Sequence, residues 1–219
     1  MPPEDADGPV LDDRLTVITS RRSTAPKRLR PPGPTAGELA AMIDAALTAP
    51  DHGSLRPWRI IQVDDRERLA DVFVAAKRRR EPECPPTLLD REREKARNAP
   101  TLLVVCARPR DDRRDIPAHE QLVAVGAAVQ NLLLAAHAQG YGASLLSGHK
   151  ARDPLVRSCL GLLPDEILIG FVSIGSIAEP GSVRPRRDPG GLVTVWTEPA
   201  IPLAEFAVAG AAPSARPSW

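Results

Sequence analysis

Apolar residues recur at helical spacing over 118–138, where Leu122, Val125, Gly126, Val129, Leu132, Leu133 and Ala136 fall on one face. The other face carries Ala124, Ala128 and Ala135, with Gln121, Gln130 and Asn131 among its few polar positions. This pattern predicts a helix that is apolar nearly all round and buried in a larger core. Gly126, Ala127 and Ala128 leave room for another backbone to come close. Asp115 and Pro117 suit its start and Gly140 its C-terminal stop. The Gly-rich stretch that follows cannot continue the helix, so it is expected to bring backbone amides up to a ligand.

The remaining elements are shorter. A helix is predicted over 11–20 with Asp12 or Asp13 as its cap, and a Pro- and Arg-rich link follows from Pro26 to Pro34. Thr35 and Glu38 form a capping-box pattern for a second helix, whose buried stripe reads Leu39, Ile43, Ala46 and Leu47 and which stops before Pro50. Residues 49–58 read as a loop, 58–63 as a strand, 65–80 and 87–97 as helices, and 101–107 as a buried strand. Residues 108–117 read as a polar surface loop, Ser144–Leu146 as a short strand and Asp153-Pro154 as a helix start. A second buried strand is expected over 167–174, closed by Gly175, and a last one at Val193–Trp196. About four strands against about six helices predict an α+β or open-sheet layout without a regular βα alternation. A closing strand after a long irregular connection suits exchange between two copies of the chain.

Composition narrows the class. The 219 residues carry a net charge of +1, which gives no electrostatic case for nucleic acid or an acidic membrane. Apolar residues make up 42% and aromatic ones only 3%, so the core must be built from Leu, Val, Ile and Ala. No apolar run of membrane-spanning length is expected, and the acidic N-terminus is unlike a signal peptide. Cys84, Cys106 and Cys159 are few and far apart, and read as free thiols in a reducing cytoplasm. Residues 1–10 are expected to be disordered, and the tail after 197 has little periodicity.

Candidate chemistry lies in four places. Arg21-Arg22-Ser23 offers two guanidinium forks and a hydroxyl to a phosphate, although arginine pairs are also common on solvated surfaces. The loop 49–58 stacks turn formers around His52 and Ser54, which suits either a ligand contact or a tight surface turn. Gly140–Gly148 is a second Gly-rich loop and lacks the dinucleotide fingerprint. Arg184, Arg186 and Arg187 form a late basic cluster. No nucleophile elbow, P-loop or metal-ligand spacing is present, so hydrolase and NTPase chemistry has no support and no catalytic side chain or metal ligand is assigned.

Taken in order, I-T-S-R-R-S at 18–23, A-P-D-H-G-S-L-R-P-W at 49–58, K-A-R-N-A-P at 95–100, A-Q-G-Y-G at 138–142, S-G at 147–148 and G-F-V-S-I-G at 170–175 resemble the FMN-dependent nitroreductase family, especially its small YdjA-like subgroup. The resemblance spans about residues 11–197 and sets off 198–219 as a C-terminal extension. It implies an α+β sandwich with a small mixed sheet flanked by helices, an intertwined homodimer and one FMN per subunit at the interface. By that likeness Arg21, Arg22 and Ser23 hold the FMN phosphate and ribityl chain. Thr48, Pro50, His52 and Ser54 reach the flavin from the loop of the partner subunit. Leu145, Leu146 and Ser147 back the isoalloxazine, and Arg186 or Arg187 completes the phosphate site. The long helix becomes the dimer core.

The implied chemistry is a ping-pong transfer from NADPH or NADH through the flavin to a small organic acceptor: a nitroaromatic, a quinone or an activated alkene. It calls for no acid–base side chain. The chain departs from the subgroup at Leu145-Leu146, where the subgroup carries Trp-Arg, and in its extension beyond 197. The first departure keeps open an alternative, a flavin-binding or flavin-free dimer with an interaction role and little turnover.

Overall fold

The computed structural model describes residues 13–179 and 191–196, and these form two compact units divided after Gly181. The expectations for 1–10, for Arg184, Arg186 and Arg187, and for 198–219 lie outside the described residues.

The first unit begins with α1 (Asp13–Ser20) and a two-residue strand β1 (Leu29–Arg30) inside the stretch expected to be a link. Helix α2 (Ala36–Leu47) starts where predicted: the Thr35 hydroxyl accepts from the Glu38 amide while the Glu38 carboxylate accepts from the Thr35 amide at 2.7 Å. Its buried stripe is Leu39, Met42 and Ala46; Leu47, expected inside, lies on the outer side, 46% exposed. Then come β2 (Trp58–Gln62), α3 (Arg66–Arg80), α4 (Pro86–Arg97) and β3 (Thr101–Ala107). The long helix α5 (Ala118–Ala138) is followed by β4 (Gly142–Leu146), short helices α6 (His149–Arg152) and α7 (Pro154–Cys159), and β5 (Ile167–Ile177). Strand β5 runs through Gly175, which pairs with Gly142, so the glycine does not close it.

Strand β5 organises the sheet. It pairs antiparallel with β1, β3 and β4, and β3 pairs antiparallel with β2. On one face Leu103, Val105, Val172 and Ile174 pack against Met42 and Ala46 of α2 and Val125, Leu132 and Ala136 of α5. On the other, Leu102, Val104 and Phe171 pack against Phe73 of α3, Ala96 of α4 and Val156 of α7. This two-core α+β sandwich is the expected class.

Helix α5 corrects three expectations. Its N-cap is Pro117 with no side-chain cap bond, because Asp115 is held by Arg113 at 2.8 Å. Val125, Val129, Leu132, Leu133 and Ala136 are buried, but Leu122, Val123 and Gly126 face outward, and a Cβ at Gly126 would meet nothing within 4 Å. Its C-terminus closes as predicted: Gly140 has φ +83°, its amide donates to the His137 carbonyl and the Tyr141 amide to Ala136. At 21 residues, with a mean hydropathy of 1.4 over an 18-residue window, α5 is long and apolar enough to cross a membrane by length and composition, contrary to the expectation that no such run exists. Its packing against α2 and the sheet is that of a core helix.

The described part of the second unit, 191–196, forms no strand, although Val193–Trp196 were expected to. Leu192, Val193, Val195 and Trp196 are each more than four-fifths exposed. A strand needs a ladder partner for its amides and carbonyls, and among the described residues this segment has none.

Candidate active site

Strand β4 brings the first motif to the second. Ser23 forms a parallel bridge with Ala143, and the Thr24 amide donates to the Ala143 carbonyl at 3.0 Å. Gly142 permits this approach, since a Cβ there would lie 2.7 Å from side-chain carbons of Leu29 and Ile177 and 3.0 Å from the Thr24 hydroxyl. Arg21 Nη1 lies 3.4 Å from Ser23 Oγ, so one guanidinium and the hydroxyl share a patch. Arg22 turns its Nη1 back onto the Thr19 and Arg21 carbonyls at 2.8 and 3.0 Å, which stiffens the turn after α1.

Three residues further on, the chain enters the wall of a cavity of about 390 Å³. Pro26 and Lys27 form one side, Lys95 and Asn98 at the end of α4 another, and Leu146, Ser147 and Lys150 a third. Phe171 and Ser173 of β5 form its floor. This size is ordinary for a small-molecule site, and apolar walls with a few polar groups are the usual composition. The pleat divides the expected Leu145-Leu146 wall. Leu145 packs with the α2–α5 core, while Leu146, opposite Phe171 in the ladder, lines the cavity. Ser144 Oγ, opposite Ser173, is buried with no hydrogen-bond partner among the described residues.

Sequence reasoning missed Lys27, Lys95, Asn98 and Lys150. The signal was on α4, whose buried positions are Leu89, Glu92 and Ala96, a carboxylate on an apolar stripe. Glu92 accepts from Lys95 at 2.5 Å and Lys150 at 2.6 Å. Burial opposes its charge, but these two ammonium groups outweigh it and leave its pKa lowered.

The loop 49–58 is elsewhere. Thr48 Oγ1 accepts from Asn131 of α5 at 3.1 Å, and His52 Nδ1 lies 3.1 Å from Glu120 at the start of α5. Pro50, His52 and Ser54 are exposed. The loop is tightly wound, with φ +74° at Gly53, +51° at Ser54 and +47° at Arg56. A Cβ at Gly53 would lie 2.5 Å from Ile116. The Arg21 motif sits at the other end of α5, where Ser20 Oγ is 2.7 Å from His137 Nε2. Glu120 and His137 are separated by about 25 Å along the helix, at 1.5 Å per residue. Within one chain, therefore, Ser23 is tied to the start of the strand that leads to Ser147 at the cavity, His52 lies at the opposite end of α5, and Thr48 sits between them at Asn131.

A larger cleft of about 690 Å³ lies at the far end of the sheet, between Arg56, Trp58, Arg108, Arg110 and Asp165. Arg108 is paired with Asp165 and Arg110 with Asp112; Leu55, Arg56 and Trp58 bring the end of the 49–58 motif to its wall, but none of the cofactor-binding residues expected from sequence lines it.

The model of the nitroreductase family matches residues 18–176, most of the chain and all of the cavity's wall. The chain belongs to the nitroreductase family. The chain is 32% identical over 173 residues to a protein of Escherichia coli K12 named "Putative NAD(P)H nitroreductase YdjA", a match that covers 75% of this chain and 88% of that one. A nitroreductase-like family protein from Bacillus cereus has the same fold, with a TM-score of 0.68, 22% identity and coverage of 85% of this chain and 97% of that one. A Bacteroides fragilis nitroreductase with bound FMN superposes with a TM-score of 0.61 at 23% identity, covering 84% and 99%.

Proposed function

We propose that this chain is an FMN-dependent oxidoreductase that takes electrons from NADPH or NADH and passes them to a small organic acceptor by a ping-pong cycle. The observation that carries this reading is the Ser23–Ala143 bridge, which ties the Arg21–Ser23 donors to the start of the strand whose end, Leu146, lines the 390 Å³ cavity. It matches a cofactor with an anionic end and a flat, partly polar ring.

The residues present fit that group. Arg21 and Ser23 are free to donate to phosphate oxygens, with Arg22 fixing the turn that presents them. Leu146, Leu102 and Phe171 offer apolar surface to a ring, and Asn98, Ser147 and Ser173 offer hydrogen bonds to its heteroatom edge. Bound FMN supplies hydride and electron transfer, which the side chains of the cavity cannot perform. The protein's part is to anchor the phosphate, hold the ring and leave one face open. Reductant and acceptor then use the same face in turn, and a nitroaromatic, a quinone or an activated alkene fits its apolar character.

The active form is a homodimer. His52, with Pro50 and Ser54 beside it on the loop, lies too far along α5 to meet its own chain's cavity, so this loop, with Thr48 at its base, serves the cavity of a partner. The outward apolar residues Leu15, Ile18, Leu122 and Val123 of α1 and α5 supply the contact. The protein works in the cytoplasm, free of membrane and nucleic acid.

The direct test is uptake. Protein mixed with FMN and passed through a desalting column should elute yellow, with about one FMN per chain. Colourless eluate would remove the flavoenzyme reading and favour the flavin-free alternative.

A further inference from the structure

Lys150 is a cation that phosphate anchoring and ring packing do not explain. It stands in the first turn of α6, its side chain 19% exposed, with Nζ 2.6 Å from Glu92 and 4.6 Å from the centroid of the Phe73 ring. Phe73 is itself fixed edge-on by Phe171, at 5.4 Å and 89°. The ammonium is thus clamped between a carboxylate and an aromatic face at the cavity wall.

A purely structural role does not account for it. Glu92 already has Lys95 as a partner, and a buried ion pair is weak support for stability compared with an apolar side chain of the same volume. Burial lowers the Lys150 pKa and Glu92 works against that. The cost of holding a charge there is tolerated where the charge is used. Lys27, Lys95 and Lys150 line the cavity, whose wall carries no carboxylate among the described residues; Glu92, behind the wall, pairs with Lys95 and Lys150. The cavity therefore favours a ligand that carries or acquires negative charge.

We propose that Lys150, oriented by Glu92, sets the electron affinity of the flavin held in this cavity. The inference rests on the flavin reading above. In the reductive step a hydride leaves the nicotinamide ring, which becomes the oxidised pyridinium, and forms a bond at the flavin N5. The flavin gains two electrons and one proton and keeps one negative charge. A fixed ammonium nearby stabilises that charge relative to the neutral oxidised ring, in a site where screening by water is weak.

The test is the midpoint potential of the FMN-loaded protein, measured anaerobically by equilibration with a reference dye. Lys150→Met should lower the equilibrium constant for reduction about tenfold, about 30 mV more negative for a two-electron couple. Lys150→Arg should keep the potential of the unsubstituted protein. Glu92→Gln keeps Lys150 and removes the opposing charge, so it should shift the potential in the positive direction. General damage to the pocket would move Lys150→Met and Glu92→Gln the same way. Unchanged potentials in both, or shifts of the same sign, would overturn the proposal and leave the flavin reading standing. Unsubstituted protein that takes up no FMN would overturn both.

Discussion

The Thr24 amide is bonded to the Ala143 carbonyl at 3.0 Å, and this contact holds the turn after α1 against the strand that ends at the cavity. It depends on Gly142, whose missing side chain leaves room for Leu29, Ile177 and Thr24. Gly142→Ala should destabilise the fold by about 1–3 kcal/mol through overpacking. It should also weaken FMN binding by separating Ser23 from β4. Urea unfolding checks the first effect and flavin titration the second; unchanged values in both would show that the contact positions nothing.

Arg21→Ala should weaken FMN binding by about 1–3 kcal/mol, the loss expected for a charge-assisted hydrogen bond. Fluorescence titration of apo-protein with FMN measures it directly. Equal affinity in the variant would mean that the phosphate is held elsewhere.

Glu166 makes the fold acid-sensitive. Its carboxylate, almost fully buried, accepts from Arg59 Nε at 2.7 Å and Nη2 at 2.6 Å and from the Leu163 amide at 2.9 Å. The Arg59 hydrogen bonds hold its pKa below the ordinary carboxylate value, against burial. The folded state thus binds the proton less readily than the unfolded chain, so this stabilisation is present above the unfolded pKa and is lost as pH falls through the folded one. Glu166→Gln should lower the melting temperature at neutral pH, and the gap to the unsubstituted protein should shrink as the pH drops below about 4.5. A gap independent of pH would show that the carboxylate's charge carries no stability.

Val123 is 72% exposed on α5, beside Leu122. Val123→Asp should weaken a dimer built on this face while leaving the single-chain fold intact. Sedimentation at micromolar concentration should give twice the chain mass for the unsubstituted protein and a shift toward monomer for the variant. A monomer in both would remove the account of loop 49–58 as a donor to a partner's site.

Local rules made much of this fold legible. The Thr35–Glu38 box, the Gly140 stop and the run 101–107 are set by neighbours within a few residues, and the structure has each in place. Burial was harder to read. Leu122 and Leu47 are as apolar as the core residues beside them, and only the position of the sheet turns them outward. Strand β1 was invisible because its two residues are ordered by pairing with Ser176 and Ile177, nearly 150 positions away. At the site, Arg21–Ser23 and Ser147 could be singled out as motifs. Lys95 stands one helical turn from Glu92 and Lys150 far along the chain, and only the fold brings Lys150 to that carboxylate.

The most direct test of the account is the absorbance spectrum of purified, FMN-supplied protein before and after anaerobic addition of NADPH or NADH. Flavin bands that bleach with the nicotinamide and return on adding a quinone or nitroaromatic are the predicted result. Protein that remains colourless, or a bound flavin that neither nucleotide reduces, would contradict it.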